Sequence, residues 1–105
     1  MVATSGILTT STVVCTSKHK LMSISATTLA DCSANDGSGT FTVKVWDSDT
    51  STTTGDIEMF RIQTRGNHSA GNAAFNFEID THGAIAGKGL YVEIAGTGQV
   101  SITYE

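Results

Sequence analysis

The sequence predicts an all-β chain: a single-domain antiparallel β-sandwich, jelly-roll or Ig-like, of seven to eight short strands. Three observations carry that expectation. The composition favours the extended chain: 17 Thr and 11 Ser make up more than a quarter of the 105 residues, whereas Leu occurs only four times. β-Branched side chains are stiff at χ1 and pack well on a pleated surface. Apolar residues recur at every second position in four separate stretches, the period of a strand, and no helical period accompanies them. Finally, 11 Gly and no Pro punctuate the chain, with turn clusters between the apolar runs.

The elements follow in order. Residues 1–6 are expected to form an extended N-terminal arm on a domain spanning 1–105. Ile7 to Cys15 and Lys20 to Leu29 read as strands rich in Ser and Thr. Asn35-Asp36-Gly37-Ser38-Gly39 is a turn cluster. Phe41, Val43 and Val45 then alternate with Thr40, Thr42 and Lys44, so one face is apolar and the other polar. Asp47 to Gly55 reads as a polar loop. Between Asp56 and Gln63 the pattern is mixed, with Ile57 and Met59 on one face and Phe60 and Ile62 on the other. A strand covered on both sides, or one carrying a bulge, produces such a pattern. Arg65 to Asn72 is a second turn cluster. Phe75, Phe77 and Ile79 alternate with polar residues, and Thr81-His82-Gly83 opens a connection that Gly87-Lys88-Gly89 closes. Leu90, Val92 and Ile94 mark the next strand, Ala95-Gly96-Thr97-Gly98 a tight hairpin, and Val100, Ile102 and Tyr104 the last strand.

The charge balance narrows the function classes. The net charge is −4 and charged residues are 15% of the chain, which argues against a basic nucleic-acid or membrane-surface module. No stretch reaches the ~18 apolar residues of a membrane span. The first twenty residues lack the basic and apolar regions of a secretory signal, so synthesis in a cytoplasm is expected. In a reducing compartment Cys15 and Cys32 are expected as two buried free thiols rather than a disulfide. Without a CxxC pair they cannot form a thiolate zinc site.

The residues that could carry chemistry each have a simpler reading. Asp47, Asp49, Ser51 and Glu58 match positions of a calcium loop, but Thr52 stands where that loop needs glycine. A solvated acidic hairpin accounts for them. His19, His68 and His82 share no ligand spacing and read as turn or surface residues, His82 with a local bond to Asp80. No G-x-S-x-G elbow is present, and Glu78 and Glu93 read as outward strand residues. Gly87-Lys88-Gly89 does not open a helix, so no phosphate cradle is implied. The expectation is therefore no catalytic residue, no cofactor and no metal. Trp46 stands on the polar face of its strand, either as the cover of a second hydrophobic layer or, with Tyr91, as the candidate partner contact, by protein association or by stacking a glycan.

Val43-Lys44-Val45-Trp46-Asp47 followed by a Thr-rich loop, the late strand Gly89-Leu90-Tyr91-Val92-Glu93-Ile94, and the ending Val100-Ser101-Ile102-Thr103-Tyr104-Glu105 give the chain an overall resemblance. It resembles the small all-β virion proteins of tailed bacteriophages, marine and cyanophage ones especially. The resemblance is one of pattern and size over nearly the whole chain and assigns no individual residue. It implies a capsid decoration or cement protein on the capsid surface, a homo-oligomer, by analogy a trimer, that bridges neighbouring copies of the major capsid protein. A fibre, neck or tail component is the alternative within that class, and a carbohydrate-binding module the alternative outside it. The thin core agrees with support from partner subunits: only about twenty large apolar side chains are available, at ~1.5–3 kcal/mol each.

Overall fold

The computed structural model describes residues 2–28, 40–65, 76–96 and 98–105. Eight strands are formed among them: β1 (Ala3–Thr4), β2 (Thr12–Cys15), β3 (His19–Thr28), β4 (Thr40–Asp47), β5 (Ile57–Arg65), β6 (Asn76–Ala86), β7 (Leu90–Ala95) and β8 (Gly98–Tyr104). They make two four-stranded antiparallel sheets, ordered β1-β8-β3-β6 and β2-β7-β4-β5. Two sheets of four strands, with consecutive strands sent to opposite sheets almost throughout, constitute the jelly roll rather than the immunoglobulin arrangement. Of the sequence-consecutive strands, only β4 and β5 are paired with each other.

Alternation builds the core. Leu21, Ile24 and Ala26 of β3 and Val100 and Ile102 of β8 point inward from the first sheet. Phe41, Val43 and Val45 of β4 and Leu90 and Val92 of β7 meet them from the second. All ten are at most 1% exposed. Cys15, Ile62 and Ala86 complete the cluster.

Three irregularities depart from simple alternation. In β5 the register runs from Val45↔Phe60 to Trp46↔Glu58, leaving Met59 as an extra residue. Of the two arrangements that the mixed Ile57–Ile62 pattern allows, a strand covered on both sides or one with a bulge, the register shows the bulge. In β2, Val14 is extra between Val13↔Tyr91 and Cys15↔Leu90. The third lies between Leu21 and Ser23 of β3: Met22 has no partner on β8, and three residues of β6, Thr81 to Gly83, oppose it on the other side. His82 and Gly83 both take positive φ, 54° and 72°. The expected connection at Thr81-His82-Gly83 is therefore a bulge inside β6, which continues to Ala86. The buried Thr81 hydroxyl donates to the Leu21 carbonyl and so satisfies an acceptor inside the irregular stretch.

Two further expectations are corrected. Ala95-Gly96-Thr97-Gly98 is not a hairpin, because β7 and β8 belong to different sheets. The chain crosses the sandwich there, and Gly98 is needed for packing: a Cβ on it would lie 2.5 Å from the Phe41 ring and 2.8 Å from the Thr27 carbonyl oxygen. Ile7 to Cys15 is not one strand. Ile7 is 72% exposed, Leu8 makes a single bridge to Val100, and the strand begins at Thr12. The N-terminal segment is extended, but it is tied along β8 rather than free. Ala3 and Thr4 pair with Tyr104 and Thr103, Ser5 N–H donates to the Ile102 carbonyl, and Ile102 N–H donates to Ser5 Oγ. Cys15 is a buried free thiol, while Cys32 lies outside the described residues.

Candidate contact surfaces

The outer face of the second sheet carries the residues singled out by sequence. Strand register places Val13, Tyr91, Trp46 and Glu58 in one row across β2, β7, β4 and β5. Glu93, Lys44 and Arg61 form the next row. Trp46 and Tyr91 are thus direct cross-strand neighbours, 45 positions apart in the chain. Their roles differ. Tyr91 is only 7% exposed, so most of its ring is covered by the chain itself. Trp46 is half-buried, and its indole N–H donates to Glu93 Oε1 at 3.1 Å. Lys44 Nζ lies 3.8 Å from the other oxygen of Glu93. Arg61 holds Glu58 with two bonds, of 2.8 and 3.0 Å. The guanidinium keeps the Glu58 carboxyl below the usual range, and Glu58 raises Arg61 in turn.

The outer face of the first sheet is built of short hydroxyl side chains. Thr4, Thr103, Ser23 and Asp80 make one row across β1, β8, β3 and β6. Ser101, Ser25 and Glu78 make the next. The hydroxyls also bond to each other: Ser23 Oγ and Thr103 Oγ1 share a bond of 2.5 Å, Thr4 Oγ1 and Ser101 Oγ one of 3.3 Å. A shallow groove of about 650 Å³ runs over this face, bordered by Val2, Met22, Glu78 and Asp80.

The calcium-loop pattern has other partners. Asp47 accepts the backbone N–H groups of Gly87 (3.0 Å) and Lys88 (2.7 Å), and Glu58 is held by Arg61. Lys88 Nζ bonds Asp56 Oδ1 at 2.6 Å. These contacts fasten the β6–β7 turn to the β4–β5 loop. The bond from Lys88, then one from Ser48, holds the Asp56 carboxyl below its ordinary value, and Lys88 is raised. Among the described residues, no three side chains of His, Cys, Asp and Glu are grouped to hold a metal. His82 N–H donates to Asp80 Oδ1 at 2.8 Å, the local bond anticipated from spacing, and both side chains are largely exposed. His19 packs edge-on against Tyr104, with ring centroids 5.5 Å apart. His68 lies outside the described residues. Burial pushes the Cys15 thiol up, against a smaller opposing effect of a bond to Tyr104.

The hydroxyl rows could not be read from sequence as a surface, because they depend on which strands become neighbours. The signal was present only as Ser and Thr at the outward positions of β3 and β8. Fold and surfaces together define a jelly-roll sandwich with one hydroxyl-rich face and one face of paired charges around a tryptophan. Comparison with protein-family models, curated proteins and solved structures gives no match.

Proposed function

We propose that this chain is a non-enzymatic virion structural protein, a capsid decoration or cement protein that bridges neighbouring capsid subunits. The observation that carries the reading is the outer face of the first sheet, with rows Thr4-Thr103-Ser23 and Ser101-Ser25 on adjacent strands. Short hydroxyls form hydrogen bonds at a protein contact without the desolvation cost of ions and with little side-chain entropy to lose. A cement protein acts by adding contact area between subunits, and such a face can supply hydrogen bonds to it. The jelly roll is compatible with this role and does not by itself establish it. The resemblance to phage virion proteins points the same way. The direct test removes the protein from particles and compares their resistance to heat and osmotic shock. Weaker particles are expected; equally resistant particles would sink the cement role, and labelled-particle microscopy would then place the chain in a fibre, neck or tail.

A glycan-binding module is the second reading, favoured by the half-buried Trp46 ring on an outer face. Its test is a glycan array with the wild-type chain and Trp46→Ala. Hits lost in the variant would support this reading, and an array without hits would remove it.

A further inference from the structure

We propose that the β5/β6 side of the sandwich is where two copies of this chain associate, β5 lying antiparallel to β5 of the second copy about a two-fold axis. This goes beyond the reading above, which needs no self-association, and it departs from the trimer that the resemblance implies; it requires no capsid.

The two sides of the sandwich are unequal. On one side the edge strands β1 and β2 are two and four residues long. Short edges offer little backbone for another chain to join. On the other side β5 has nine residues and β6 has eleven, and each is paired with one neighbour among the described strands. No proline protects either strand. Two of the exposed large hydrophobic residues lie there, Ile57 at 68% and Ile85 at 58%. They belong to the same end of the sandwich, because Asp56, next to Ile57, holds Lys88, three residues after Ile85.

Charge decides which strand leads and what occupies the edge. On β6, Glu78 and Asp80 are both negative, and the bulge at Thr81 to Gly83 interrupts the strand. On β5, Glu58 and Arg61 both project from the outer face and carry opposite charges. Setting Met59 opposite Phe60 of an antiparallel second copy puts each Glu58 opposite Arg61 of that copy. The same register puts Ile57 opposite Ile62 of the second copy. The strand is therefore complementary to itself, as an isologous contact requires. The bulge at Met59 divides the ladder into two short runs about the axis.

The test is light scattering and sedimentation of the full chain over a wide concentration range. A mass of two chains is expected. Arg61→Glu places like charges opposite each other twice in the dimer and is expected to raise the dissociation constant about tenfold or more. The double variant Glu58→Arg with Arg61→Glu restores the opposed charges and is expected to recover association. Ile57→Lys is expected to weaken it, while Ile7→Lys, on the opposite side, leaves it unchanged. Circular dichroism confirms that each variant is folded. A monomer at every concentration, a mass of three chains, indifference to Arg61→Glu, no recovery in the double variant, or equal weakening by Ile7→Lys would each overturn the proposal. Any of these results leaves the particle-resistance test of capsid bridging intact.

Discussion

At the scale of single residues, hydroxyls do what the backbone ladders leave undone. Ser5 Oγ accepts Ile102 N–H, Ser11 Oγ accepts Ile94 N–H, and the Thr81 hydroxyl reaches the Leu21 carbonyl. Each lies where a strand ends or a register shifts. The Thr81 contact is the most demanding, since both its side chain and Leu21 are buried. Thr81→Val keeps the shape and removes the donor, and is expected to cost about 1–3 kcal/mol. Thermal melts should then fall by about 4–8 °C per kcal/mol, and Thr81→Ser should lose less. Gly98 makes a different demand, because a methyl there would collide with Phe41. Gly98→Ala is expected to cost about 1–3 kcal/mol or more, read in the same melts.

At the scale of elements, the β6–β7 turn depends on a distant loop. Asp47 accepts two backbone N–H groups of that turn, and Lys88 reaches Asp56. Hydrogen bonds to a charged acceptor contribute about 1.5–3 kcal/mol, so Asp47→Ala is expected to lower stability by about that much. The Asp56 carboxyl titrates lower in the folded chain than in the unfolded one. Its contribution is therefore present above the unfolded value and is lost as pH falls through the folded one. Melting temperatures followed from about pH 7 to about pH 2 should show a shallower acid decline in Asp56→Asn than in wild type. Lys88 titrates higher when folded, so its part disappears as pH rises through that value, at the alkaline end. Legibility also varied element by element. β4 and β8 were plain because their buried residues alternate, β7 because Leu90, Val92 and Ile94 recur at every second position although Tyr91 between them is buried too, and β5 showed its bulge as a phase change between Ile57 and Phe60. β6 was cut short because His82-Gly83 carries the turn chemistry of a loop end, although here it serves a bulge. The Gly96 to Gly98 segment looked like a hairpin because glycine suits a tight turn and a close ring contact alike. The Trp46–Tyr91 adjacency was not legible, since it arises from register between strands far apart in sequence.

At the scale of the molecule, nearly all strand pairing is non-local. β1 pairs with β8, β3 with β6 and β8, and β7 with β2 and β4, while β4–β5 is the one sequential pair among the described strands. Closing such loops takes entropy before contacts return it, so refolding is expected in the millisecond-to-second range. Stopped-flow fluorescence of Trp46, the chain's one tryptophan, would measure this. A microsecond phase carrying the full amplitude would contradict it.

Cys15 supplies a clock for the reverse process. Cys15 belongs to the core, with the residue 7% exposed, on a four-residue strand bonded to β7. A thiol reagent reaches it only while that strand is lifted away, and burial keeps the reactive thiolate scarce in between. In a Cys32→Ser background, the pace of adduct formation under native conditions would count these excursions directly. Comparing it with the rate of complete unfolding would tell whether β2 opens alone or only when the two sheets come apart.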